Sequence, residues 1–249
     1  MIKKFTKRMI VLSLLVMTGL SFAKAQTWVP GSGPYGGDIT CITHNSSFLF
    51  AGAGTNTNGK GVFRSSDNGN VWESSSTGFS PLPLGKNIFG MVAKGDYIFA
   101  ASFVDYENVP SLSGIYRTSD NGLNWEQLPQ VFSNQQPHSV FATDQNAIVA
   151  GNPSGCIVTL DNGLTWVTRN SFPGVSGTPN VRALAFSTNY LYAGLSNGKI
   201  YRSANYGEVW VEHSAGLSNG GQVQVLVSNG EVVFAGKTNG VFRLIRNFS

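Results

Sequence analysis

Ser65-Ser-Asp67-Asn-Gly69-Asn-Val-Trp72 returns three more times along the chain. The later copies are Thr118-Ser-Asp120-Asn-Gly122-Leu-Asn-Trp125, Thr159-Leu-Asp161-Asn-Gly163-Leu-Thr-Trp166 and Ser203-Ala-Asn205-Tyr-Gly207-Glu-Val-Trp210. The shared pattern is S/T-x-D-x-G-x-x-W, with Asn replacing Asp in the fourth copy. Before each box lies a short β-branched or aromatic run: Gly61–Arg64, Gly114–Arg117, Gly155–Val158 and Lys199–Arg202. Two similar runs precede that one, and Gly or Asn bounds them, so each unit reads as consecutive strands. The spacing is regular. Ten residues separate the first-strand anchor from the end of the second strand: 42 to 52, 91 to 101, 141 to 151 and 184 to 194. Eight separate the end of the third strand from Trp: 64 to 72, 117 to 125, 158 to 166 and 202 to 210.

A fifth unit keeps the first interval, from Leu226 to Gly236, and continues into Gly240-Val-Phe-Arg243. Its Trp would fall at position 251, and the sequence has 249 residues. Trp28 stands 14 residues before anchor Ile42, close to the 16–19 residues that separate the other Trp residues from the next anchor. The spacing predicts an all-β, five-bladed β-propeller of four-stranded blades, its ring closed by the N-terminal strand that carries Trp28. Residues 26–249 then form one domain of five repeats, with boxes at 65–72, 118–125, 159–166 and 203–210. The fifth blade combines 222–249 with 26–30. A single blade has two apolar faces and cannot fold alone; stacking buries them and closure leaves only short edges.

Residues 1–25 read differently. Lys3, Lys4, Lys7 and Arg8 precede the apolar run 9–22, and Ala23-Lys24-Ala25 follows. A basic start, a short apolar core and an A-x-A site are the marks of a secretory signal peptide. The expected destination is the periplasm, the cell surface or the extracellular space. The net charge of +4 is concentrated in this leader. It holds five of the 17 basic residues, leaving 12 against 13 acidic ones, a formal charge of −1. A nucleic-acid role therefore loses its electrostatic basis. Beyond the leader no run is apolar enough to span a membrane. Cys41 and Cys156 fall in non-adjacent units and read as unpaired core residues.

The boxes resemble the Asp-box, or BNR repeat, of the sialidase-like superfamily of β-propellers, over nearly all of 26–249. Similar repeats occur in sialidases, xyloglucan-cleaving glucanases, sortilin-type receptors and Ycf48-type photosystem-assembly factors. The style is nearest the non-catalytic Ycf48-like and sortilin-like proteins. The resemblance implies the fold more firmly than a function. It assigns Asp67, Gly69, Trp72, Asp120, Gly122, Trp125, Asp161, Gly163, Trp166, Asn205, Gly207 and Trp210 to structural turns. In such turns a carboxylate or amide binds backbone N–H groups, Gly takes φ > 0 and Trp fills the space between blades. Arg64, Arg117, Arg202 and Arg243 recur at one strand position, as scaffold residues do.

A sialidase site needs three convergent arginines, a Tyr–Glu pair and an Arg-Ile-Pro-type motif. This chain has no such motif. A two-carboxylate glycoside hydrolase is the enzyme reading left open, with Asp38, Asp105 and Glu107 as candidate acids. Ligand candidates come from the inner strands and their loops. Two residues before each anchor stand Thr40, Phe89, Ser139, Arg182 and Gln224. These differ where scaffold positions would repeat. Asp38, His138, Arg182 and Gln224 form the expected mouth. Tyr106 belongs to the long loop of the second unit, a candidate recognition element. Three scattered histidines and no ligand-spaced cluster give no metal site and imply no cofactor. The expected function is an exported binding or assembly module that recognises a protein or glycan through one propeller face.

Overall fold

The computed structural model describes residues 29–34, 38–54, 60–79, 87–103, 113–129, 140–218 and 220–244. Contacts divide the chain into residues 1–30 and 31–249. Only Val29 and Pro30 of the first unit are described, and every named strand belongs to the second. The expected signal peptide, and the strand assigned to Trp28, lie outside the described residues.

All regular structure among the described residues is β. The first sheet is β1 (Ile39–His44), β2 (Leu49–Ala53), β3 (Gly61–Ser65) and β4 (Glu73–Ser74). The second is β5 (Asn87–Lys94), β6 (Tyr97–Phe103), β7 (Gly114–Thr118) and β8 (Glu126–Gln127). The third is β9 (Val140–Thr143), β10 (Ile148–Asn152), β11 (Gly155–Thr159) and β12 (Val167–Thr168). The fourth is β13 (Val181–Phe186), β14 (Leu191–Leu195), β15 (Ile200–Ser203) and β16 (Val211–Glu212). The fifth is β17 (Val223–Ser228), β18 (Val233–Lys237) and β19 (Gly240–Arg243), three strands among the described residues. Each strand pairs antiparallel with the next in sequence. The first strands neighbour one another in chain order, β1 with β5, β5 with β9, β9 with β13 and β13 with β17. This is the all-β propeller arrangement that the ten- and eight-residue spacings predict.

The core lies between sheets. Phe50 and Val62 of the first sheet meet Ile98, Tyr116 and Trp125 of the second. Phe99 and Ile115 of the second sheet meet Ile148, Ile157 and Trp166 of the third. Val149, Cys156 and Phe172 meet Leu191, Tyr201 and Trp210 at the next junction. Tyr192 and Ile200 meet Val223, Val233 and Ala235 at the last. Central strands β10 and β14 are buried on both sides, so they carry continuous apolar runs instead of alternation. Cys41 and Cys156 are both free thiols, and burial raises their pKa values to about 11 and about 12.

The end sheets differ from the middle ones. Ile42 on β1 is 65% exposed. On the fifth sheet Val225, Val227, Phe234 and Val241 are exposed as well.

Four first strands share one irregularity. Their pairing shifts between Ile39 and Cys41, Ile88 and Gly90, Val181 and Ala183, and Val223 and Val225. The extra residues are Thr40, Phe89, Arg182 and Gln224. A bulge leaves its extra residue outside the ladder and re-aims the side chain.

Candidate functional site

The bulges bring the mouth residues to one end of the first strands. Arg182 and Gln224 are exposed, and the Arg182 Nη2 donates to Gln224 Oε1 at 3.3 Å. Beneath them lies an open cavity of about 250 Å³ lined by Val140, Phe141, Arg182, Leu184, Gln224 and Leu226. Thr40 is exposed as well, but its hydroxyl is engaged: it donates to the Gly52 carbonyl at 3.1 Å and contacts the Ile88 carbonyl of the next sheet. Phe89 packs edge-on against Phe103, ring centroids 6.2 Å apart. One repeated scaffold position therefore carries a hydrogen-bonded guanidinium and amide, a bridging hydroxyl and an aromatic pair.

Asp38 stands exposed just before β1, where its carbonyl accepts the Gly54 N–H at 3.0 Å. The carbonyls of Asn180 and Gln222 accept from Ser196 and Thr238 at the corresponding points of the fourth and fifth sheets. The structure thus joins Arg182 to Gln224 and places Asp38 at the equivalent strand start of the first sheet. Asp105, Tyr106, Glu107 and His138 lie outside the described residues. Among the described residues, no group of three His, Cys, Asp or Glu side chains could hold a metal ion.

The box residues make one repeated turn. The Ser65 hydroxyl donates to Asp67 Oδ1 at 2.7 Å and accepts the Gly69 N–H at 2.9 Å, while the same carboxylate accepts the Val71 N–H at 2.9 Å. Asn68 and Gly69 both have positive φ, 60° and 86°. Asn205 reproduces the contacts without a charge: Ser203 Oγ to Asn205 Oδ1 at 2.9 Å, and Val209 N–H to the same oxygen at 2.9 Å. At Asp161 desolvation opposes ionisation. The donors of Thr165 and Thr159 outweigh it and hold the carboxyl at about 2. A carboxylate so committed is a poor proton donor for chemistry at neutral pH.

The repeated arginines reach across junctions. Arg64 Nη1 donates to the Asn121 carbonyl and Arg117 Nη1 to the Asn162 carbonyl, each at 2.6 Å. Each carbonyl belongs to the positive-φ residue of the next sheet's box. Arg64 also pairs with Glu73 at 2.7 Å, and Arg117 with Glu126. Their guanidiniums lie over Phe48 and Tyr97. These cations are occupied by the scaffold.

Sequence reasoning did not find a cavity of about 330 Å³ between the fourth and fifth sheets. Tyr192, Ile200, His213, Leu217, Val233 and Phe242 line much of it. Burial, with the nearby Arg202 charge, lowers the His213 pKa. The signal available was the repeat itself, because Leu217 follows Trp210 by the seven residues that separate Phe79 from Trp72.

No family model matches the sequence, and no curated protein matches it either. Solved structures do. The extracellular domain of a hybrid two-component system from B. thetaiotaomicron aligns with TM-score 0.67 at 15% identity, over 89% of this chain and 29% of that one. The GH74 enzyme of Niastella koreensis aligns with TM-score 0.63 at 15% identity, over 84% and 36%. YCF48 from Cyanidioschyzon merolae aligns with TM-score 0.60 at 14% identity, over 87% and 69%. A YCF48 structure bound to a D1 peptide is also similar, with TM-score 0.57 at 17% identity over 82% and 62%. The chain spans only about a third of the length of the first two. These likenesses establish the β-propeller fold.

Proposed function

We propose that this chain is an exported β-propeller binding or assembly module that recognises a protein or glycan at the bulged ends of its first strands. The carrying observation is the Arg182–Gln224 pair over the open cavity with Phe141. The bulges repeat one backbone geometry while the side chains at them diverge, as a rigid scaffold with a variable recognition surface requires. A guanidinium and an amide beside an aromatic floor suit carboxylates, amides and hydroxyls. The peptide-bound YCF48 structure supports a protein segment as ligand on this fold. The basic and apolar leader of residues 1–25 supports export, and among the described residues no helix is long and apolar enough to cross a membrane.

The test is a binding screen of the secreted protein against envelope proteins and an oligosaccharide panel, with an Arg182→Ala/Gln224→Ala variant alongside. The expected result is a ligand whose affinity falls at least tenfold in the variant. Full binding by the variant places recognition elsewhere.

A second reading rests on the likeness to a GH74 enzyme: glycoside hydrolysis by Asp38 with Asp105 or Glu107. Turnover of a glycan that Asp38→Asn abolishes, with folding intact, establishes it. No turnover across the panel removes it.

A further inference from the structure

The box turns lie at the strand ends opposite the bulges, and groups of the preceding sheet reach those of the second and third sheets. Asn45 Nδ2 donates to Asn121 Oδ1 and Lys94 Nζ to Asn162 Oδ1, each at 2.7 Å. Arg64 and Arg117 reach the carbonyls of the same two asparagines. Each guanidinium thus joins a carboxylate, Glu73 or Glu126, to a box carbonyl while lying over an aromatic ring.

The junction between the third and fourth sheets keeps the backbone and changes the side chains. The Asp144 N–H bonds the Ala147 carbonyl at 3.2 Å, just as the Asn45 N–H bonds the Phe48 carbonyl at 3.1 Å. Yet where Asn45 and Lys94 present donors, Asp144 presents a carboxylate. Val158 stands in the place of Arg64 and Arg117, and Ala147 in the place of Phe48 and Tyr97. The left-handed box position, Asn in the other three turns, holds Tyr206 at φ 53°. Asn tolerates that conformation, and a bulky side chain is disfavoured in it. The Tyr206 ring packs on the cluster that contains Ala147 and Val158, and its hydroxyl accepts from Asn146 Nδ2 at 3.2 Å.

A cavity of about 300 Å³ opens at this junction. Asp144, Phe186, Ser187, Asn189, Tyr190 and Tyr206 line much of it. Asp144 Oδ1 accepts the N–H groups of Asn146 and Ala147 at 2.8 and 2.7 Å, which orients the carboxylate. Among the described residues no cation pairs with Asp144, and no donor reaches the Tyr206 carbonyl. The lining includes a carboxylate and no cation. Arg202, whose guanidinium lies over Tyr190, has Tyr192 and His213 as its electrostatic neighbours, towards the fifth sheet.

We infer that this cavity binds a guanidinium supplied by another molecule, held between the Asp144 carboxylate and Tyr206 and flanked by the aromatic rings. The first two junctions display the arrangement with the protein's own arginines; here its pieces stand without one. A guanidinium has five donors in a fixed fork and a flat face that stacks on rings, whereas an ammonium is a compact point charge. A half-buried carboxylate holds such a fork more tightly than a fully solvated one. The source is an arginine side chain of a partner protein or a free alkylguanidinium, which carry the same group. The site lies at the opposite strand ends from Arg182 and Gln224 and goes beyond the function proposed for them.

The test is an amide NMR titration of the isotope-labelled full chain with three probes. These are an acetylated Gly-Arg-Gly amide peptide, its citrulline analogue, which keeps the shape without the charge, and agmatine. The expected result is a saturable shift at the amides of 144–147, 187–190 and 204–207 with the arginine peptide. The citrulline peptide should bind about tenfold more weakly. Agmatine that matches the arginine peptide supports a free alkylguanidinium as the source, and tighter binding of the peptide supports a protein segment. Asp144→Asn removes the charge and keeps the turn, because Asn45 Oδ1 accepts the N–H groups of Ser47 and Phe48 in the same way. Its affinity for the arginine peptide should fall about tenfold. Tyr206→Asn restores the residue of the other three turns and should also weaken binding. Equal binding of the citrulline peptide, undiminished affinity in Asp144→Asn, or no shift at these amides would each overturn the inference. So would a neutral oligosaccharide that shifts them where the arginine peptide does not. Arg182→Ala/Gln224→Ala should leave the titration unchanged, so the two sites stand or fall separately.

Discussion

Trp210 and Trp72 occupy the same place in the same motif, yet their surroundings differ. Trp210 is 2% exposed, stacks on Phe172 with ring centroids 4.8 Å apart, and donates to Arg169 of the preceding sheet. Trp72 is half-buried and donates to Gly69 of its own turn at 3.0 Å. The comparison separates two jobs inside one eight-residue box. Ser or Thr, Asp or Asn, and Gly form a turn within the sheet and need nothing from outside. The Trp works only against a neighbouring sheet.

The sharpest way to break this contrast is truncation of each indole. Trp210→Ala should cost about 3–5 kcal/mol and lower the thermal midpoint by roughly 10 °C for a domain of this size. Calorimetry on Trp72→Ala then reads the state of the first sheet. A comparable loss is expected for a closed ring in which the fifth sheet covers Trp72. A loss of about half would mark an arc with free ends.

Next in size is the cross-junction arginine. Arg117→Lys keeps the charge and removes the fork that binds Glu126 and the Asn162 carbonyl together. The expected cost is about 1–2 kcal/mol, read from chemical denaturation. No change would mean that the Asn162 carbonyl is as well served by water.

Acid separates the Asp boxes from the Asn box. Asp161 has a folded pKa of about 2, below its ordinary unfolded value near ~4. Its contribution is complete above the unfolded value and disappears as pH falls from about 4 towards 2. Asp161→Asn should therefore flatten the loss of stability across that window. Asn205 already makes the same contacts, so the cost at pH 7 should be about 1 kcal/mol or less. Denaturation midpoints at pH 7 and near pH 2.5 measure both. Undiminished acid sensitivity in Asp161→Asn would move the titration to Asp67 and Asp120, whose carboxyls are also held low. Smallest is the effect of Arg182→Ala on stability. It should stay within ~0.5 kcal/mol, because the side chain is exposed, whatever happens to binding.

The strands and box turns were legible because their causes are local. Ten residues from anchor Ile42 to Gly52 make a hairpin, and Asp67 finds its donors within four residues. The identity of the neighbour behind each Trp was not, since it depends on how Phe172 and Arg169 of one sheet meet Trp210 of the next. Arg182 and Gln224 could be picked out as unlike members of a repeated position. The bulges that present them could not, because a one-residue register shift leaves no mark on composition. Nor could the cavity beside His213, which exists only where two sheets meet. Asp105, Tyr106, Glu107 and His138 remain expectations from the sequence alone.

The strictly sequential pairing of strands has a kinetic consequence. Nearly every ladder joins segments adjacent in the chain, so each sheet can form from local hairpins without waiting for distant residues. A polypeptide that emerges N-terminus first, as in synthesis, can then assemble vectorially, each emerging sheet using the last as its template.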